Sequence, residues 1–521
     1  MQACFRHYVA LRKEMDAWLA QSRRMDPPGR YGGGEDEANY ALAWFPHFLA
    51  TGSTAVVEHF EYLLDQLAGW VRRECLHGYE PEAEAHHGTE PFLLFLPRYL
   101  GLFPEDRAAA RLLADAAEHI GNWEKEIPAW FDWDRNRFFG YHIGTRTVGR
   151  DPEYAVELAE HFRFIHIALS AYRVLKQDRY LDWALRYGRR RAEMIVAAPE
   201  GDLPVMWGPD GRPLGECEYT ESQRRMSGAS HHLPGDPARG VEALLASGAV
   251  HALGDLYRMS GEVVFRDAGF RIVEPLVGML HDPYCDPGAA AVSFYRGAFG
   301  DDTLDDRIRE TVGRLPDEES GELVLMVPEK PRMILPGVGK RADMLHWGVQ
   351  AEGINRVAPT REPCTATLTL AYQITGDRSF ASRALKQAAR KLKVARRVLR
   401  GGREHADMGG AVCSVAAGHG RNWGSGAVTG CYGPLLLGAR ERLGAVVPAV
   451  EFRRSGVGSG LPEQVVSLVV PPGPVAGNVR IYNGGGSDAA VSWRQPGAAW
   501  QDVSLPPGGE VETVLPGEDR Q

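Results

Sequence analysis

The chain has 521 residues, with 68 acidic against 59 basic side chains and a formal charge of −9 at pH 7. That length suits a large domain with a small appendage, and the acidic balance argues against nucleic acid as a partner. Basic clusters are short, Arg189 to Arg191 and the interrupted stretch Arg390 to Arg397. No run of about eighteen apolar residues occurs, so no membrane span is expected. Arg6, Arg12 and Lys13 are scattered through an amphipathic N-terminal pattern, unlike the continuous apolar core of a secretory leader. A cytoplasmic protein is expected, or a secreted one if a leader is removed. The cysteines Cys4, Cys75, Cys217, Cys285, Cys364, Cys413 and Cys431 form no CxxC pair and read as reduced thiols.

In chain order, the amphipathic stretch 5–19 is the first predicted helix. Leucine- and alanine-rich helices are expected at 39–49, 91–101, 154–175, 240–258 and 364–374. More polar partners follow at 54–73, 106–123, 180–197, 263–280 and 378–399. The joints read Ala50-Thr51-Gly52-Ser53, Phe103-Pro104-Glu105-Asp106-Arg107, Lys176-Gln177-Asp178-Arg179-Tyr180, Ser260-Gly261-Glu262 and Thr375-Gly376-Asp377-Arg378-Ser379-Phe380. Glycine or an equivalent stops one helix, and Asp, Glu or Ser caps the next. A sixth apolar helix, 427–443, has no partner after it, and 5–19 could supply that partner. Helix pairs that cannot bury their apolar faces alone must stack or close. The expected fold is therefore mainly α, an (α/α)6 toroid over residues 1–444. Beyond Gly444, apolar runs at 465–470, 478–483, 490–493 and 511–514 alternate with Gly- and Pro-rich turns. They predict a small antiparallel β-domain over 445–521 with a structural role.

The Thr375 to Phe380 joint and its degenerate copies resemble the helix junctions of (α/α)6-barrel carbohydrate enzymes. That group includes unsaturated uronyl hydrolases, sugar epimerases, many inverting glycosidases and several polysaccharide lyases. The resemblance covers roughly residues 2–444 and lies at the level of fold, which other users of helical toroids, such as terpene and prenyl enzymes, share. It implies an enzyme acting on an oligo- or polysaccharide.

Spacing between joints grows along the chain, so extra residues are expected in loops 121–152, 198–239 and 282–363, all at one mouth of the ring. Polar clusters gather there. Asp36 and Glu37 precede the first inner helix, His86, His87 and Glu90 the second, and His142 the third. Glu218, Tyr219, Glu221, His231 and His232 precede the fourth. His346, Trp347 and Arg361 precede the fifth, and Arg421, Asn422 and Trp423 the sixth. Asp36 and Glu37 equally suit helix caps. The histidines show no HxxxH or HExxH spacing, so neither a metal nor another cofactor is expected. Trp207, Trp347 and Trp423 are either core fillers or flat faces for sugar rings.

Hydrolysis of a glycosidic bond needs one carboxylic acid and one carboxylate. Glu90, Glu218 and Glu221 lead that list, followed by Asp36 and Glu37, and crowding should raise the donor's pKa. Elimination next to a uronate instead uses His or Tyr with Arg or Asn on the carboxylate. His87, His142, Tyr219, His232, Arg361 and Asn422 supply that cast. Glycoside hydrolysis is the leading expectation and a β-eliminating lyase the alternative. A sugar epimerase and a non-enzymatic glycan-binding ring come after them. Arg361 and Arg421 at the rim point to an acidic, uronate-containing substrate.

Overall fold

The computed structural model describes residues 1–23, 41–82, 85–229, 240–281, 286–316, 363–396, 415–418, 423–454 and 458–517. It adds short backbone stretches at 323–326, 349–350, 353–354 and 356–359, and residue 412. At residues 86, 87, 228, 229, 286 and 287 only the backbone is described.

Three joints share one hydrogen-bonding device. The Thr51 hydroxyl donates to the His47 carbonyl at 2.6 Å and accepts from the Ser53 N–H at 3.3 Å. Ser260 does the same with Leu256 and Glu262, at 2.9 and 3.2 Å. Thr375 repeats it with Ala371 and Asp377, at 2.7 and 3.1 Å. The glycine between, Gly52, Gly261 or Gly376, takes φ of 63°, 72° and 72°, the left-handed region that ends a helix without a Cβ penalty. Lys176 occupies the same position at φ 56° in a fourth joint. At the fifth, Asp106 accepts from the Ala108 and Ala109 N–H groups.

These joints connect helix pairs. The first is Trp44–Thr51 with Thr54–Glu74. The second runs from a π-helical turn, Pro91–Phe95, into Leu96–Leu102 and on to Arg107–Ala117. The third is Arg163–Leu175 with Asp178–Ala197, and the fourth Ala249–Ser260 with Val263–Val273. A fifth pair, Asp286–Phe299 with Asp305–Gly313, lies inside the stretch 282–363 that the sequence reading assigned to loop. Its joint has Gly300 at φ 62° but no hydroxyl before it, which hid it from the motif. The sixth is Thr365–Thr375 with Arg378–Ala395.

Each pair from the second to the sixth packs on the next, and Phe45 and Phe60 of the first meet Phe95 of the second. The N-terminal helix Gln2–Ser22 joins the sixth pair to the first. It lies along Arg378–Ala395, with a Glu14–Arg396 ion pair. On its other side Trp18 meets Trp44 at 4.4 Å between ring centroids, and Asp16 bonds His47 at 3.1 Å. The contacts thus run in a circuit.

Two expected helices change. Residues 240–258 break at Gly248, φ 71°, into Val241–Ala246 and Ala249–Ser260. The helix expected at 427–443 shrinks to Tyr432–Leu436, which begins after Gly430 and stops before Gly438 (φ 58°), while Gly433 and Pro434 are accommodated in its first turn. The chain then enters an antiparallel hairpin, Arg440–Arg442 with Ala445–Val447, whose turn holds Leu443 and Gly444. Gly444, the expected domain boundary, therefore sits within a hairpin.

That hairpin and its flanks reach the inner helix of every pair. Leu461 N–H donates to the Ala50 carbonyl at 2.8 Å, and Arg98 pairs with Glu441 at 2.5 Å. Ser170 and Arg173 donate to the Leu443 carbonyl, and the Leu443 N–H donates to Asp255 at 2.9 Å. Arg440 covers Gly297, and Gln373 donates to the Pro434 carbonyl at 3.4 Å. The joint-side end of the circuit is covered.

Two three-stranded antiparallel sheets follow. One orders Glu451–Arg454, Ala489–Arg494 and Gln501–Leu505, and the other Val465–Val470, Gly477–Asn483 and Glu510–Leu515. The second docks on the N-terminal helix through Phe5 against Tyr482, and on the sixth pair through Arg378 and Glu510 at 2.7 Å. Every strand pair among the described residues is antiparallel, and no described helix is long and apolar enough to cross a membrane.

Each joint hydroxyl makes two bonds at once, so Thr51→Val, Ser260→Ala and Thr375→Val should each lower stability by about 1 kcal/mol. The sites share no partners, so the effects should add in the triple variant. Urea denaturation followed by circular dichroism checks this, and a triple variant as stable as the parent would refute the device.

Candidate active site

The inner helices begin at the end opposite the covered one. Glu90 stands just before the π-helical turn at Pro91 and is fully buried. Arg163, the first residue of its helix, donates to Glu90 at 3.0 Å and to the Ala246 carbonyl at 3.4 Å. One guanidinium so ties together the starts of the second, third and fourth inner helices. The 3-10 turn Ala159–Phe162 packs against both Ala85–Gly88 and Val241–Ala246. These segments carry Glu160 and Glu242, buried like Glu90. His166 bonds the Gly248 carbonyl at 3.1 Å, and His251 lies on Phe294 at 4.0 Å.

Burying carboxylates costs several kcal/mol each unless they are paired. Apolar side chains would fill these positions without that cost, so three buried glutamates gathered at helix N-termini mark a candidate site. Helix N-termini favour negative charge there. Hence the arrangement can hold an ionised carboxylate beside further acid groups, the components of acid–base chemistry.

A neighbouring buried pair has a different character. Glu157 accepts from the Tyr187 hydroxyl at 2.5 Å, Arg191 at 2.6 Å and the Phe138 N–H at 2.7 Å. It is a satisfied structural pillar. Trp207 is fully buried against it, with Arg191 over its ring at 4.7 Å and its N–H on the Met194 sulfur. Trp207 is thus a core residue, and no sugar ring can stack on it. His161 accepts from the Leu158 N–H at Nδ1 and donates from Nε2 to the Gly140 carbonyl, and burial pushes its pKa down, which favours this neutral form.

The other expected residues divide. Glu218 is exposed and pairs with Arg212 at 2.8 Å, which holds its carboxyl below the ordinary range. The raised donor pKa expected from crowding is not found there. Glu221 is exposed and pairs with Arg225 at 3.4 Å. Tyr219 belongs to a separate apolar cluster with Tyr141, Leu158 and Met206, and burial pushes its phenol pKa up. His142 stacks on Tyr154 and faces Glu82 at 3.7 Å. Trp423 is buried under Arg98, whose guanidinium lies 5.2 Å from its ring. The backbone of His87 lies in the turn Ala85–Gly88, beside Glu160. Asp36, Glu37, His231, His232, His346, Trp347, Arg361, Arg421 and Asn422 lie outside the described residues. Among the described residues no group of three or more His, Cys, Asp or Glu side chains could hold a metal ion.

Glu160, Arg163, Glu242, His166 and His251 were missed because they fall inside stretches read as plain core helices. Their signal was charge within runs otherwise apolar on every face, as in Val156-Glu157-Leu158-Ala159-Glu160-His161-Phe162-Arg163.

Glu90→Ala leaves the Arg163 guanidinium buried without this carboxylate and should cost about 3–5 kcal/mol in urea denaturation. Adding Arg163→Met should restore part of that loss. Glu218→Gln should leave the denaturation midpoint where it is. Equal midpoints for Glu90→Ala and the parent would show that the pair is not coupled.

No protein-family model matches the chain, and no curated protein matches it. Among solved structures it is similar to an unsaturated glucuronyl hydrolase from Bacillus sp. GL1, described as responsible for glycosaminoglycan degradation. Identity there is 11%, over 61% of this chain and 85% of that one, with a TM-score of 0.42. It is also similar to a cellobiose 2-epimerase from Bacillus thermoamylovorans, at 10% identity over 52% and 87% of the two chains, TM-score 0.29. A sugar epimerase from a ruminal bacterium matches at 14% identity over 61% and 78%, TM-score 0.32. All three are carbohydrate-active enzymes, and likeness at this level assigns no activity to this chain.

Proposed function

We propose that the chain is a carbohydrate-active enzyme built on a helical toroid, hydrolysing glycosidic bonds at the mouth marked by Glu90, Glu160, Arg163 and Glu242. The observation that carries this reading is the burial of three carboxylates in the packed segments that lead into three successive inner helices, at the end opposite the C-terminal hairpin. Arg163 favours the ionised form of Glu90. Glu90 therefore serves as the base that activates water, or as the nucleophile, and the proton donor is assigned to Glu160 or Glu242. Asp36, Glu37, His87, His231 and His232 are retained as further catalytic candidates. His346, Trp347, Arg361, Arg421 and Asn422 are assigned to substrate binding, with the guanidinium forks gripping a uronate carboxylate.

The test is a panel of uronate-containing and neutral oligosaccharides. Reducing-sugar release without new ultraviolet absorbance is expected on the acidic members. Replacing the donor, by Glu160→Gln or Glu242→Gln, should lower kcat by about 10²–10⁴-fold with the circular dichroism spectrum retained. Absorbance from a newly conjugated C=C would replace hydrolysis by elimination. Full activity in both variants would remove these glutamates from the mechanism.

A further inference from the structure

At the opposite end of the molecule lies a cleft of about 1040 Å³, between the joint ends of Trp44–Thr51 and Leu96–Leu102 and the start of the C-terminal domain. Phe48, Leu49, Leu102, Val447 and Pro448 give it apolar walls. Its polar side is cationic. Arg173 and Arg454 spend N–H groups on the Leu443, Pro97 and Thr51 carbonyls. Glu451, on the same wall, is engaged by Arg494 at 2.6 Å. Arg442 and Arg453 are exposed, and among the described residues no carboxylate lies within ion-pair distance of either. Arg453 is nonetheless held in place, because its guanidinium lies 4.4 Å from the Trp500 ring, which Arg494 also covers.

Two exposed guanidinium groups at the edge of an apolar cleft, one of them positioned over Trp500 and neither with a carboxylate partner among the described residues, focus positive potential in a chain whose net charge is −9. Deep apolar concavities with a few fixed polar groups are the usual form of a small-molecule site. Neutral hydrogen-bonding side chains that could meet sugar hydroxyls are few on these walls, Ser459 being the example. We infer that this cleft binds a carboxylate with an aliphatic or aryl body, its acid group on Arg442 and Arg453 and its apolar body against Leu49, Leu102 and Val447. This ligand differs in class from the proposed substrate, and the two sites stand at opposite ends of the inner helices.

Isothermal titration of the full chain with octanoate and with 1-octanol tests it. Octanoate should saturate at one per chain and weaken as salt is raised, whereas octanol should bind more weakly. R442A/R453A should reduce octanoate affinity about tenfold or more, since charge-assisted hydrogen bonds are lost, and R442K/R453K by less. Leu49→Trp, which narrows the cleft without touching charge, should weaken both ligands. Thermal melts of the variants matching the parent would exclude unfolding as the cause. The inference is overturned by equal binding of acid and alcohol, by unchanged affinity in R442A/R453A, or by no saturable binding of octanoate. A dimer that R442A/R453A converts to monomer would also overturn it, since the cleft would then be covered by a second copy.

Discussion

Arg98 and Glu441, both almost fully buried, meet 2.5 Å apart where the hairpin after Tyr432–Leu436 enters the joint end of the helical circuit. Six helix pairs and an N-terminal helix arranged in a circuit leave two ends, and each end exposes the unsatisfied backbone groups of the inner helices. At the joint end those groups are carbonyls. Segments after the hairpin answer some of them, the Leu461 N–H on Ala50, Arg454 on Thr51 and Arg480 on Gly376, while within the hairpin Glu441 neutralises the buried Arg98. Burial pushes the Arg98 pKa down to about 9, which still leaves it charged at neutral pH, and the glutamate compensates that buried charge. Removing either partner would strand a charge in the interior, a loss that usually exceeds what the pair itself contributes.

Charge is sorted along the inner helices in the sense their dipoles favour. Glu90, Glu160 and Glu242 stand at helix starts. Arginines stand at the helix ends, with Arg454 on the Thr51 carbonyl, Arg173 on Leu443 and Pro97, and Arg480 on Gly376. The N-terminal end of a helix attracts anions and the C-terminal end cations. The inner-helix starts thus suit the buried carboxylates found beside them. The opposite face needs cations for structural reasons, and the Arg442–Arg453 cleft is built on that surplus.

Three buried ion pairs divide between support and chemistry. Glu157 has every direction filled by Tyr187, Arg191 and the Phe138 N–H, and its surroundings are aromatic on all sides. Arg98–Glu441 fixes the covering hairpin. Glu90–Arg163 instead lies where segments from three hairpins meet at the end opposite the hairpin, which is why it anchors the proposed site.

The helix pairs were legible because their signals are local. A hydroxyl, a glycine with φ near 70° and a polar residue make the same bonds wherever they occur, so Thr51-Gly52, Ser260-Gly261 and Thr375-Gly376 marked their joints without tertiary help. The pair at Asp286–Phe299 escaped because its joint lacks the hydroxyl, and 427–443 misled because periodicity does not register the glycines Gly430 and Gly438 that bound the short helix. Alternating apolar runs marked the β-strands, but not the hairpin at 440–447, whose buried inward residue is the charged Glu441 rather than an apolar one. Of the candidate site, only Glu90 was both named from sequence and buried among the inner-helix starts. Glu218 and Trp207 looked equally functional on paper, yet one is held in solvent by Arg212 and the other sits under Arg191. The residue string by itself determined the helix pairs, their joints and the β-rich end, because those depend on neighbours in sequence. Only the tertiary structure decided which charges are buried together, since desolvation depends on what distant segments pack against them.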